Sequence, residues 1–344
     1  MNAPVSGRLP GVSAWVVASA LLSAALVLVL AAAEPRQATP ARETLTIPGL
    51  ELKLVKIRKG SFLMGQPDGY EGSSADEKPQ TKVTFTRDFW LGATEVSVGQ
   101  FKRFVEATGY VTTAEHGNQG IFTSKNLPKT KGLSWRNPGI ANYTQTDAHP
   151  VFGLSWDDCM QFCDWLNDRE RAAGRLPVGY IYRLPSEAQW EYVARHGTTE
   201  DNYEPLDYAW YGANSGGVPH PVGTKQPNPW GVHDLQGNGW EWTHGWYGRY
   251  PGGTVEDYEG PASPQGRDVI KPHRSIRGSS WNDRGRHGLM TTNRWSTWGM
   301  TQNQWVTFRI ALVPDVPPAP GTPVRGAFSA APSGSAVDAV PVKR

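Results

Sequence analysis

Residues 231–246, GVHDLQGNGWEWTHGW, constrain this chain more than any other stretch. Asp234, Asn238 and Glu241 stand there among glycines and tryptophans, a mixture that suits neither a plain helix nor a plain strand. Gly237, Asn238 and Gly239 form a turn signal, because Gly and Asn tolerate the positive φ angles that tight turns impose. Such a turn can aim its carbonyl oxygens inward. Asp234 and Glu241 flank it with carboxylates of the oxygen-only kind that calcium selects. Two readings follow from the spacing: a turn stapled by Trp240, Trp242 and Trp246, or a hard-cation site.

The N-terminus points to a compartment. Arg8 precedes an apolar run over residues 14–33, broken only by Ser19 and Ser23 and closed by Ala31, Ala32 and Ala33. This is an export signal, either cleaved after residue 33 or retained as a membrane anchor. The expected location is therefore the periplasm, or the inner membrane facing it. Residues 34–46 and 314–344 are rich in Pro, Ala and Ser and read as a linker and a tail without a core. Between them, residues 47–313 suffice for one domain. A formal net charge of +2 excludes a nucleic-acid stripe and confines membrane contact to the N-terminal segment.

Thirty-eight glycines and fifteen tryptophans call for many turns and large aromatic plugs, so regular structure should be short. Three helices are legible. Ser97 caps the first, with Val98, Phe101, Val105 and Thr108 at helical spacing and Gly109 as its stop. Ser155 and Asp158 open the second, striped by Cys159, Phe162, Cys163 and Leu166. Ser186 and Gln189 make a capping box for the third, which ends by Gly197. Residues 51–57, 82–85 and 305–311 read as strands, giving an α+β fold. The two cysteines lie four apart on one apolar helical face, where packing accounts for them better than a disulfide or a metal pair.

The central stretch is similar to the GNxWEW signature of the formylglycine-generating enzyme, or sulfatase-modifying factor, family. Further stretches resemble the family in the same order: SFLMG at 61–65, TEVSVGQFKRFVEATGY from Thr94, HPVFGLSWDDCMQFCDWLN from His149, RLPSEAQWEYVARHG from Arg183, RGSSWND from Arg277 and TFRIA from Thr307. The resemblance implies a compact, loop-rich single domain related to C-type lectins. It also implies a structural calcium at Asp234, Gly237, Gly239 and Glu241, and a second at Asn214 and Ser215. For that second site the following loop is short and lacks an acidic partner.

Active members of the family use a cysteine pair that binds copper and activates oxygen. Those two positions fall here on Asp283 and Gly288, neither of which supplies the sulfur a copper(I) site needs, so formylglycine generation and copper are not expected. The same segment offers Asp283, Arg286, His287, Asn293 and Arg294 as acid, base and hydrogen-bonding groups, with Trp281 and Trp298 as groove walls. Each of these is equally compatible with an ordinary charged loop or an aromatic core. HExxH, HxxxH, GxSxG and Walker motifs are absent from the sequence, as is the iron-binding histidine domain found with this fold in sulfoxide synthases. Two functions remain. The first is a non-catalytic envelope module binding a peptide, glycan or protein partner. The second is a periplasmic oxidoreductase that acts on a peptide without the cysteine pair, as in relatives of siderophore maturation.

Overall fold

In a computed structural model, the described residues are 42–70, 74–124, 128–198, 205–265, 271–285 and 287–315. The apolar run, most of the linker, nearly all of the tail and Arg286 lie outside them. Among the described residues, no helix is long and apolar enough to cross a membrane.

Capping chemistry sets the helices where the sequence places them. Helix α1 spans Val98–Thr108, where Ser97 accepts from the Gln100 amide and Gln100 answers the Ser97 amide. Gly109, at φ 68°, ends it in the left-handed region that glycine alone enters cheaply. Reciprocal caps also open α2 (Trp156–Ala172) through Ser155 and Asp158, and α3 (Glu187–Ala194) through Ser186 and Gln189. A single turn, α4, follows at Pro205–Tyr208.

Three sheets surround these helices. The largest joins β1 (Thr44–Ile47), β2 (Leu52–Ile57), β5 (Phe89–Gly92), β12 (Ala311–Pro314) and β6 (Tyr180–Arg183) in that order. A second orders β10 (Arg294–Trp298), β9 (His273–Arg277), β7 (Trp240–Trp246) and β11 (Val306–Phe308). The third is β3 (Gly60–Met64), β4 (Thr81–Phe85) and β8 (Gly253–Glu256). Neighbouring strands are antiparallel except at β11 with β7 and β4 with β8.

Two expectations need correction. Residues 44–46 belong to the sheet rather than to a linker, because β1 pairs with β2 from Thr44 opposite Val55 to Ile47 opposite Leu52. The run expected as one strand over 305–311 is two strands in different sheets. Between them Arg309 turns its guanidinium inward and the Ile310 carbonyl accepts from the Gly92 amide.

The main core lies between α1, α2 and the sheets, where Phe101, Phe104 and Phe162 meet Trp165 and Phe308 at centroid distances of 5.3–6.4 Å. Cys159 and Cys163 are thiols outside any disulfide and are fully buried in it. A second cluster packs Trp190, Val193 and Ala194 of α3 against Phe62, Phe85 and Leu91. A small third cluster holds Ile140, Phe152 and Trp281, with Tyr143, Val218 and Trp305 packed against it.

Burial pushes the Cys159 thiol well above its usual range, reinforced by the neighbouring Asp158. An aromatic disulfide reagent should therefore titrate no thiol in the folded protein and two in denaturant. Fast labelling of the native state would place a thiol at the surface and contradict this packing.

Candidate functional site

The turn at 237–239 is built by close backbone approach. A Cβ on Gly237 would lie 2.1 Å from the Trp210 carbonyl oxygen, and one on Gly239 would lie 2.6 Å from the Thr307 methyl. Asp234 and Asn238 both adopt positive φ, at 56° and 55°. The Asn238 side chain holds His220 from both sides, accepting from its amide at 2.9 Å and donating to its carbonyl at 3.1 Å. Beyond the turn the chain straightens into β7, which carries Glu241 into the core.

Glu241 meets a cation of the protein itself. Arg309 grips it through Nε and a terminal nitrogen, both at 2.6 Å, and the Trp190 indole donates at 2.9 Å. Asp234 uses one oxygen to accept from the Gly223 amide at 2.6 Å. Its other oxygen, and both oxygens of Glu95, are buried with no donor from the rest of the protein, and the two carboxyls lie close enough to share a proton. Glu95, Asp234, Glu241 and Arg309 are all fully buried and electrostatically coupled, three carboxyls against one guanidinium.

Burial, then the neighbouring Asp234 and Glu241 charges, push Glu95 well above the ordinary carboxylate range; burial likewise raises Asp234. The cluster lacks positive charge, and its unanswered oxygens suit a hard cation or shared protons. No group of three His, Cys, Asp or Glu side chains among the described residues is arranged to hold a metal. A calcium there would therefore lean on turn carbonyls as well. Sequence reading reached Asp234 and Glu241 but missed Glu95. Its signal was a lone acid between Thr94 and Val96, just ahead of a helix cap.

Asn214 and Ser215 do not fit a second cation. The Asn214 side chain accepts from the Tyr211 amide and donates to the Ala209 carbonyl, both at 2.9 Å. Ser215 donates its hydroxyl to the Trp281 carbonyl at 2.7 Å, and its own carbonyl faces His220 Nε2 at 2.8 Å. Protein groups close this loop where an ion was expected.

The segment after β9 brings some of the expected pocket together. Asp283 Oδ2 accepts from the Ser280 amide at 2.9 Å, the Ser280 hydroxyl at 2.7 Å and the Trp240 indole at 2.9 Å. A Cβ on Gly288 would lie 3.9 Å from the Asp283 Cβ, which is the separation of two cysteines in a disulfide. Asn293 ties this approach down by donating to the Gly288 carbonyl at 3.0 Å. His287 sits alongside, its Nε2 at 3.2 Å from Glu77.

Arg294 departs from the expected groove. It is buried, and its guanidinium forks onto Glu187 at 2.7 and 2.6 Å and donates to the Asp76 and Gly248 carbonyls. Such a charge cannot clamp a ligand without abandoning Glu187. Trp281 is also interior, packed with Ile140 and Phe152, whereas Trp298 is half-buried on β10 opposite His273.

This fold and this arrangement of a WEW strand, a glycine-serine turn and an Arg-held core define a sulfatase-modifying type of domain. The chain belongs to the sulfatase-modifying factor enzyme 1-like domain family, matching it over residues 40–313. It is 31% identical to the mouse (Mus musculus) formylglycine-generating enzyme over 259 residues, which cover 64% of this chain and 64% of that protein. It is 29% identical over 270 residues to mouse inactive C-alpha-formylglycine-generating enzyme 2, covering 67% and 74% respectively. Among solved structures, PvdO from Pseudomonas aeruginosa superposes with a TM-score of 0.63 at 24% identity. That match covers 79% of this chain and all but 2% of the other, with 98% of PvdO included, and it shows the shared fold.

The Cβ geometry makes the double substitution Asp283→Cys with Gly288→Cys a sharp test. It should form a disulfide on mild oxidation, seen as a mass loss and lost thiol titre. Two thiols that stay free would mean these positions do not face one another. The carboxyl cluster gives a second test. Because Glu95 and Asp234 are raised in the folded state, what these two groups contribute to the stability of chelator-treated protein should be fullest below about pH 4, where the unfolded carboxyls are also protonated. Stability should then fall as pH rises through the folded values, and Glu95→Gln should flatten that fall in thermal denaturation.

Proposed function

We propose that this chain is an exported, calcium-stabilised binding or accessory module of the cell envelope, without formylglycine-generating activity. One observation carries the reading. The positions that face each other like a cysteine pair hold Asp283 and Gly288, while the chain's two thiols are sealed inside α2. A carboxylate bonded to Ser280 and Trp240 is a hard, acceptor-only group. It can neither hold copper(I) nor attack as a thiolate.

Calcium is supported by the charge imbalance at Glu95, Asp234 and Glu241, with Asp234 and Glu95 as the carboxylate ligands and the turn carbonyls completing the shell. Its role is structural, since it would neutralise carboxyls that burial otherwise forces to take up protons. A peptide, glycan or envelope-protein partner is supported by the partly buried Tyr143 and Trp305, whose hydroxyl and indole nitrogen are without a hydrogen bond. Export rests on the sequence of residues 14–33. A second reading, an oxidoreductase working on a peptide without thiols, draws its support from His287 beside buried Glu77.

Incubated with copper, oxygen and a sulfatase-motif peptide, the purified protein should yield no aldehyde by mass spectrometry. Conversion of the peptide cysteine would overturn the proposal. Calorimetry after exhaustive chelation should show calcium binding that Glu95→Gln and Asp234→Asn abolish. Absence of heat with the wild type would sink the calcium assignment alone.

A further inference from the structure

Glu77 is a fully buried acid with an incomplete set of partners. Its Oε1 accepts from the Ser74 amide at 3.2 Å, while Oε2 is buried without any hydrogen bond. Among the described residues no Lys or Arg lies in ion-pair range, and His287 is the one chargeable base that does, with Nε2 at 3.2 Å from Oε1. His287 Nε2 is itself buried without a hydrogen bond, within ion-pair range of Oε1 but off the angle of a hydrogen bond to it. Yet 39% of the His287 side chain is exposed. Of the two ring nitrogens, only Nδ1 can be reached from solvent.

Both partners are fixed from behind. The Gln66 amide donates to the Glu77 carbonyl at 3.0 Å, and Asp76 is held by the Tyr247 hydroxyl at 2.5 Å and by Arg294 at its carbonyl. The Met290 amide bonds the His287 carbonyl at 3.1 Å, and Asn293 bonds the carbonyl of the next residue. The imidazole is thus carried next to Gly288, whose neighbour across the gap is Asp283.

We propose that Glu77 and His287 form a proton-accepting dyad beside Asp283 and Gly288, for a ligand that presents an N–H or O–H group. It goes beyond the reading of this chain as a binding module by naming a site and the group it would take. A buried carboxylate facing Nε2 keeps the proton on that nitrogen and leaves the Nδ1 lone pair outward. When a ligand group gives up its proton, the N–H bond forms at Nδ1, the electron pair stays with the ligand, and Glu77 holds the resulting imidazolium. Glu77 acts here as a positioning residue.

Diethyl pyrocarbonate reads the lone pair directly: Nδ1 attacks the reagent's carbonyl carbon, the N–C bond forms and ethyl carbonate leaves. Site-resolved mass spectrometry on the full chain should show His287 modified faster than exposed His116. Glu77→Gln should slow His287 by about tenfold, the low end of what losing a carboxylate partner costs a histidine site, and leave His116 unchanged. Equal rates at His287 and His116, or no effect of Glu77→Gln, would overturn the dyad. If that variant fails to fold, nitrogen-15 shifts of His287 in the wild type decide the matter: a neutral ring protonated at Nε2 supports the proposal and one protonated at Nδ1 refutes it. Neither measurement needs the ligand, so the dyad can fail while the binding reading stands.

Discussion

Buried guanidinium-carboxylate pairing is the constraint on which the second sheet depends. Arg294 of β10 and Arg277 of β9 reach under α3, the first gripping Glu187 and the second bonding Glu191 at 2.6 Å. Burial disfavours the charged Glu187, but Arg294 and Arg277 outweigh it and hold its carboxyl below the usual range. Arg309 ties down β7 by closing on Glu241, although burial there outweighs the guanidinium and leaves that carboxyl above its usual range. Removing one member of such a pair leaves an uncompensated charge in the core, at a cost of about 3–5 kcal/mol. The segment from Gly278 to Asn293 is therefore hung between two fixed strands, whatever chemistry its own side chains carry.

That suspension fixes the course of the segment independently of the side chains at 283 and 288. The Ser280 carbonyl and the Gly212 amide bond the backbone of Asp283, and Asn293 bonds that of Gly288, contacts that do not depend on sulfur. A carboxylate fits the first position because three donors converge on one of its oxygens. The second position tolerates a bare hydrogen because the Ser279 hydroxyl would stand only 3.2 Å from a Cβ there.

The opposite arrangement holds around the 237–239 turn. Three carboxyls face one guanidinium, and among the described residues no second Arg or Lys pairs with them, so the interior here holds more acid than base. A core so tightly paired elsewhere is legible as structure. An imbalance inside it is legible as a site, because uncompensated buried charge persists only with a proton or a cation to neutralise it.

Local chemistry decided what the sequence alone could determine. Capping boxes at Ser97, Ser155 and Ser186 act over three residues, and the Cys159 and Cys163 face follows from a four-residue spacing, so these were readable from neighbours in the chain. That positions 283 and 288 hold Asp and Gly was likewise a matter of residue identity. Tertiary structure decided which charges are free. Arg294 resembled a groove residue until Glu187, 107 positions away, claimed it, and His287 acquired meaning only when Glu77 lay beside it. Glu95 gained its significance from Asp234 in the same way, and the strand expected over 305–311 divided because Arg309 had Glu241 to reach. Pairing of buried charge depends on three-dimensional proximity, and a linear pattern of residue types carries no record of which acid each base will meet.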